Sequence, residues 1–209
     1  MFIPKDYIMA DRAEALLFMK KYNFATIVTV KDNFQTGTHL PFVIEERNGK
    51  IMVLSHFAKA NQQWHQIVLN KVLVIFSEPH AYISPSHYEK ELNVPTWNYL
   101  SVHVCGQGKI ITDTDKSFEL LDKMINSYEP EYKKQWDQLP SEYKLKMLNG
   151  IVPFEIEVTD IQAKKKLSQN KTDKEKQTII SAFEKSNFNN EREIAVYMKK
   201  ENTNSEGKN

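Results

Sequence analysis

Three short runs rich in β-branched and aromatic residues, at 24–30, 36–45 and 50–56, are separated only by turn material. Lys31, Asp32, Asn33 and Phe34 fill the first gap, and Glu46, Arg47, Asn48 and Gly49 fill the second. Links this short join antiparallel neighbours, because parallel strands need a crossover helix between them. The runs therefore predict an antiparallel meander, and with it a barrel or sandwich rather than a parallel sheet. Further strands are expected at 72–77, 100–112 and 152–165, with Gly106 and Gly108 marking a bulge or a close backbone approach.

Helical signals lie between and around these strands. Asp11 stands three residues before Glu14, and Ala15, Leu16, Phe18, Met19 and Tyr22 follow at helical spacing, which predicts a helix over 11–22. Asn61 is a reasonable cap for a short helix to 69 with Trp64, Ile67 and Val68 inward. Asp113 or Thr114 caps a helix to 128 that carries Phe118, Leu121, Met124 and Ile125 on one face. Two shorter helices are expected at 129–136 and 141–148, divided by Pro140. Thr172 and Glu175 have capping-box spacing before Ile179, Ile180 and Phe183. A last helix should begin near Asn190, with Ile194, Val196, Tyr197 and Met198 available for packing. Such a helix pair is a packing or dimerisation device more often than a DNA reader.

A chain of 209 residues, 41% hydrophobic and 26% charged, can bury the core of one large domain plus an appendage. No apolar window approaches the length of a membrane span, and no signal peptide follows Met1, so a cytoplasmic setting is expected. Cys105 is the only cysteine, which excludes an internal disulfide and a thiolate metal cluster built by one chain. The six histidines lack zinc-hydrolase spacing, so no metal is expected. The net charge of +1 divides unevenly: 11 Lys and Arg against 7 Asp and Glu give +4 from residue 163 onward, which leaves −3 before it. That is a weak footprint for a nucleic-acid binder.

The stretch from Val74 to Gly106 has two strand-like ends around a polar and aromatic insert. It holds His80, Tyr82, Ser84, Ser86, His87, Tyr88, Thr96, Trp97, Asn98 and Tyr99, stiffened by Pro79, Pro85 and Pro95. These groups either grip a flat heterocycle, with hydrogen bonds at its rim, or plug the end of a small barrel. Ser55, His56, Phe57, Ala58, Lys59, Ala60 and Asn61 place an ammonium and short polar groups at a strand end and helix start. There they suit either a terminal phosphate or a solvated turn. His39 and His56 are core or rim histidines. The Lys164, Lys165 and Lys166 run reads as a solvated strand end, followed by Ser168, Gln169 and Asn170, whose side chains both donate and accept. No catalytic nucleophile motif, paired carboxylates, phosphate loop or dinucleotide fingerprint occurs.

Several ordered blocks carry a resemblance. They are His80 to Ser86, Val94 to Tyr99, Met1 to Pro4, Thr38 to Pro41, Ser55 to Asn61 with Trp64, and Lys166 to Lys171. Together the chain resembles the PaiB family of FMN-binding negative transcriptional regulators over roughly residues 1–171. The resemblance implies a mainly β fold with peripheral helices. It would be an antiparallel split β-barrel related to the pyridoxamine-phosphate oxidase and flavin reductase barrels, working as a homodimer with FMN near the subunit interface. It implies Lys59 at the flavin phosphate, Ser168, Gln169 and Asn170 at the ring edge, and His39, His56, Asn61, Tyr82, Thr96, Trp97, Asn98 and Tyr99 nearby. No arginine stands in the phosphate segment, where related oxidases often supply one. The expected organisation is a flavin barrel at 1–171, a helical appendage at 172–201 and a disordered tail at 202–209. The function implied is repression of sporulation and degradative-enzyme genes, through promoter DNA or a regulatory partner. A flavin-dependent oxidoreductase using NAD(P)H is the alternative.

Overall fold

The computed structural model describes residues 1–206, with side chains described through 203. Its strands are β1 (Phe24–Lys31), β2 (Phe34–Pro41), β3 (Val43–Arg47), β4 (Lys50–Ala58), β5 (Lys71–Ile83), β6 (Thr96–Ile110) and β7 (Ile151–Lys166). The helices are α1 (Arg12–Lys21), α2 (Thr114–Tyr128), α3 (Lys133–Gln138), α4 (Ser141–Leu148), α5 (Asp173–Glu184) and α6 (Asn189–Glu206). The strands form one antiparallel sheet in the order β2-β1-β5-β6-β7-β4-β3.

Both expected hairpins form, each on a two-residue turn. Lys31 pairs with Phe34 across Asp32 and Asn33, at φ 51° and 62°. Arg47 pairs with Lys50 across Asn48 and Gly49, at φ 53° and 76°. Two successive positive φ values match the right-handed twist of the flanking strands, and Asn, Asp and Gly tolerate them best.

The single strand expected at 36–45 is instead two strands, at opposite ends of the sheet order. The chain turns between Pro41 and Val43, where the ring of Phe42 is fully buried. Phe42 packs on Phe76 and Phe154 with ring centroids 5.9 and 6.4 Å apart, and its N–H donates to the Asn23 carbonyl at 2.8 Å. Burying that ring, not the hairpin spacing, ends β2, and it replaces the three-strand meander with two separate hairpins.

The chain forms two compact units. The sheet unit comprises Leu16–Phe76 and His103–Gln162; the terminal unit comprises Met1–Ala15, Ser77–Val102 and Ala163 onward. Strands β5, β6 and β7 each run from one unit into the other. The terminal unit places the helices expected at 172–201 together with the 80–99 loop and the N-terminus, so neither unit is continuous in sequence.

In the sheet unit, α2 lays Leu120 and Met124 on Met52 and Leu54, with Leu121 partly buried beside them. Asp113 caps α2 by accepting from the Lys116 N–H. The helix expected over 61–69 is only a 3-10 turn, Gln62–His65, although Asn61 caps it as expected, its side chain accepting from Gln63 N. Gly106 is the close approach the sequence suggested. A side chain there would run into the Glu157 carbonyl and lie 2.7 Å from the Ile156 side chain.

In the terminal unit the capping box forms as its spacing predicts: Thr172 accepts from Glu175 N, and the Glu175 carboxylate accepts from Thr172 N. Ile179, Ile180 and Phe183 of α5 and Ile194, Ala195 and Met198 of α6 are buried, whereas Val196, expected inward, is 51% exposed. Helix α6 runs to Glu206, past the point where a disordered tail was expected, and 207–209 lie outside the described residues. Lys165 of β7 fixes both chain ends, bonding Glu14 of α1 at 3.0 Å and Glu201 of α6 at 2.6 Å. Thr203 adds a bond to the Lys199 carbonyl at 2.8 Å. No described helix is long and apolar enough to cross a membrane.

Candidate functional site

The residues singled out from the sequence fall in both units, and each group has its own geometry. The sheet unit holds His39, His56, Lys59 and Asn61. His39 is exposed on β2, stacked against Phe24 at 6.3 Å. His56 is half-buried on β4, and its Nδ1 is buried with no hydrogen-bond partner. Burial holds its pKa below the ordinary imidazole value, so the ring is neutral near pH 7.

Lys59 follows β4, and its backbone N–H donates to the Gly150 carbonyl at 2.9 Å. Its ammonium is exposed and has no ion pair or hydrogen bond among the described residues. Asn61 is fully engaged: Oδ1 accepts from Gln63 N at 3.0 Å, and Nδ2 donates to Thr38 Oγ1 at 3.0 Å. Gln63, which the sequence reading passed over, is 5% exposed and donates to the carbonyls of Thr36 and Ile27 at 2.9 and 3.3 Å. A cleft of about 410 Å³ lies here, walled by Thr29, Lys31, Asn61, Gln62 and His65 among others. At the helix start the Lys59, Asn61 and Gln63 N–H groups are therefore already in use, and the Lys59 ammonium is the free cation of this segment.

The terminal unit holds Tyr82, Thr96, Trp97, Asn98, Tyr99, Ser168, Gln169 and Asn170. Alternation along β5 and β6 sends Tyr82 and Trp97 outward, 46% and 51% exposed. Their ring centroids are 5.7 Å apart at 73°, and His80 adds a third ring 6.0 Å from Trp97. The opposite alternation buries Asn98 completely. Asn98 Nδ2 donates to Ser168 Oγ at 3.0 Å, and Ser168 Oγ and Asn98 Oδ1 lie 3.1 Å apart. Ser168 is 4% exposed and sits in the left-handed region at φ 61°, which turns the chain sharply out of β7.

Gln169 closes the same turn, accepting from Leu167 N at 2.7 Å and donating to the Lys165 carbonyl at 2.7 Å. Asn170 is exposed, and its side chain has no bond among the described residues. Thr96 Oγ1 accepts from Lys166, and Tyr99 is half-buried under the Lys164 ammonium, 5.1 Å from the ring centroid. The lysine run is thus not a solvated strand end: Lys164 is buried, and Lys165 and Lys166 are half-buried. Burial, with the neighbouring charge of Lys164, lowers the Lys166 pKa. No sequence pattern signalled this, because a strand-end lysine run looks the same buried or solvated.

In the terminal unit, the groups that remain available suit a flat heteroaromatic ring. Tyr82, Trp97 and His80 offer ring faces there; the sheet unit, taken by itself, offers the unneutralised charge of Lys59. The side chains of Asn98, Ser168 and Gln169 are instead bound to one another or to the backbone. Among the described residues no group of three or more His, Cys, Asp or Glu could hold a metal ion.

Residues 1–160 match a family model described as "Putative FMN-binding domain". The chain is 36% identical over 201 residues to the "Protease synthase and sporulation protein PAI 2" of Bacillus subtilis (strain 168), covering 95% of this chain and 96% of that protein. It is 27% identical over 187 residues to the uncharacterised protein AN0679 of Emericella nidulans, covering 71% and 74%. Among solved structures it is similar to the flavocytochrome Anf3 of Azotobacter vinelandii, with TM-score 0.59 and 14% identity over 75% of this chain and 67% of that one. It is also similar to an FAD and heme binding protein of Mycobacterium smegmatis, with TM-score 0.57 and 14% identity over 74% and 71%. At those identities the likeness extends to the fold, a split β-barrel of the kind found among flavin-binding proteins.

Proposed function

The chain belongs to the PaiB family of FMN-binding-domain proteins, and from that premise we propose that it is an FMN-binding homodimer acting as a negative regulator of gene expression. The observation that carries the reading is the 36% identity to a relative named for protease synthesis and sporulation, sustained over 95% of the chain. FMN is preferred over FAD on the description of the matching family. The ring is assigned to the exposed faces of Tyr82 and Trp97, and the free Lys59 ammonium keeps the phosphate role that the family resemblance implies. Flavin bound there supplies electron or hydride transfer; the chain's own part is to hold charge and ring faces in place.

A second copy is the reading given to the remaining apolar surface of the terminal unit. Leu92, Val94 and Trp97 are 98%, 76% and 51% exposed, a costly display for a lone subunit.

Regulation is assigned as acting directly or through a partner or metabolite, with the tail poorly equipped to grip DNA by itself. Of the eleven tail cations, four form ion pairs among the described residues: Lys165 with Glu14 and Glu201, Lys174 with Glu89, Lys176 with Asp173 and Lys199 with Glu184. The net excess of the tail is only +4, a weak footprint for displacing counterions from a duplex. The same observation favours the second reading, a flavin-dependent oxidoreductase. The deciding experiment measures binding to the protein's own promoter regions across a salt series, and NAD(P)H oxidation with FMN present. Regulation predicts promoter binding, alone or with an added partner, that weakens steeply with salt. Turnover of NAD(P)H without promoter binding overturns it in favour of the enzyme.

A further inference from the structure

Successive side chains of a strand leave on opposite faces, and in β7 this alternation separates Lys165 from Lys164 and Lys166. Lys165 meets two carboxylates, Glu14 at 3.0 Å and Glu201 at 2.6 Å. Its two neighbours meet none: among the described residues no carboxylate lies within ion-pair distance of Lys164 or Lys166. Yet Lys164 is only 7% exposed, and its ammonium touches just the Phe2 carbonyl oxygen at 3.4 Å and the face of Tyr99. Lys166, half-buried, donates to Thr96 Oγ1.

A hydroxyl and a carbonyl solvate ammonium groups without neutralising them. Two like charges withdrawn from water on one strand face are unfavourable unless a counter-charge joins them. Each ammonium has three N–H donors, so both retain donors after the contacts named. Burial and the charge of Lys164 both disfavour a protonated Lys166, and a bound anion would reverse both effects.

We propose that Lys164 and Lys166, with Thr96 at their side, form an anion site in the terminal unit for a phosphate monoester. A dianion matches two ammonium charges, and its three terminal oxygens can accept from both lysines at once. Lys164 lies over Tyr99, two positions from Trp97 on the same face of β6, so an aromatic body attached to the phosphate would find ring faces beside it. The site stands independently of the flavin reading. The phosphate is either that of FMN or that of a second phosphorylated ligand.

The test uses the full chain and inorganic phosphate, read by thermal unfolding and by protection of lysines from acetic anhydride in mass spectrometry. Phosphate is expected to raise the melting temperature more than chloride at equal ionic strength, and to slow acetylation of Lys166. Lys166→Gln should weaken the phosphate effect about tenfold. The protection measurement needs no variant, so a misfolded Lys166→Gln leaves the outcome decidable. Titrations of FMN and riboflavin then assign the source. If Lys166→Gln weakens FMN about tenfold and spares riboflavin, the phosphate is that of FMN. Phosphate protection that persists on FMN-saturated protein assigns the site to a second ligand. Should flavin not bind at all, the FMN reading fails while the phosphate arm still decides this one. A phosphate effect no larger than that of chloride, with no protection of Lys166, overturns the proposal.

Discussion

Asn98 and Ser168 lie 70 residues apart in sequence and hold each other in a fully buried pair, with Asn98 Nδ2 donating to Ser168 Oγ at 3.0 Å. The contact ties the start of β6 to the sharp turn after β7, and Asn98 Nδ2 also reaches Met198 Sδ of α6 at 3.6 Å. Both side chains look like ligand contacts when read as residue types in a polar loop. In the fold they fasten three segments of one unit.

Removing one partner leaves a buried polar group without a bond. Asn98→Ala is therefore expected to lower stability by about 1 to 3 kcal/mol, whereas Asn170→Ala, on an exposed and unbonded side chain, should stay within about 0.5 kcal/mol. Urea unfolding of the two variants checks this. Equal midpoints would remove the structural role of the pair.

Lys59→Ala should cost FMN about 1.5 to 3 kcal/mol of binding free energy while leaving riboflavin unaffected, because only the phosphate uses the charge. Flavin fluorescence titration reads both ligands. Wild-type protein that binds FMN and riboflavin equally well would rule out any contact to the FMN phosphate, at Lys59 or elsewhere.

Trp97→Ala removes a ring that is half in solvent, so its effect on unfolding should be small beside its effect on ligand. Loss of ring stacking is expected to weaken flavin by about 0.5 to 1.5 kcal/mol, for FMN and riboflavin alike. If Trp97 lies in a subunit interface, sedimentation of the same variant will show a weakened dimer. A wild-type chain that remains monomeric at micromolar concentration would dismiss the dimer.

His56 gives the fold an acid-side weakness. Burial holds its folded pKa below the ordinary imidazole value of about 6.5, so the unfolded chain takes up the proton first as pH falls. The contribution is intact above the unfolded value, and it erodes from there down to the lower folded pKa. Replacing His56 with Gln, which cannot titrate, should flatten the stability profile below about pH 6.5, as measured by urea midpoints from pH 7.5 to 5. An unchanged slope would place the acid sensitivity elsewhere.

The sequence by itself determined the parts of this protein whose causes are local. Positive-φ residues at Asp32, Asn33, Asn48 and Gly49 set two hairpins, and Thr172 with Glu175 set a helix start. The ordered blocks from Met1 to Lys171 identified the family, and with it the barrel. Each depends on residues within a few positions of one another, or on a pattern retained as a block.

Only tertiary structure decided where β2 stops, because that rests on Phe42 finding Phe76 and Phe154, 34 and 112 positions further along the chain. It also decided which polar residues are available to a ligand. Asn98, Ser168 and Gln169 are engaged by the fold while Lys59 is free, and the residue types do not separate the two cases. In the lysine run, Lys165 is neutralised by carboxylates from both chain ends while Lys164 and Lys166 are not. Burial and pairing are properties of which distant segments meet, and three identical side chains in a row carry no record of that.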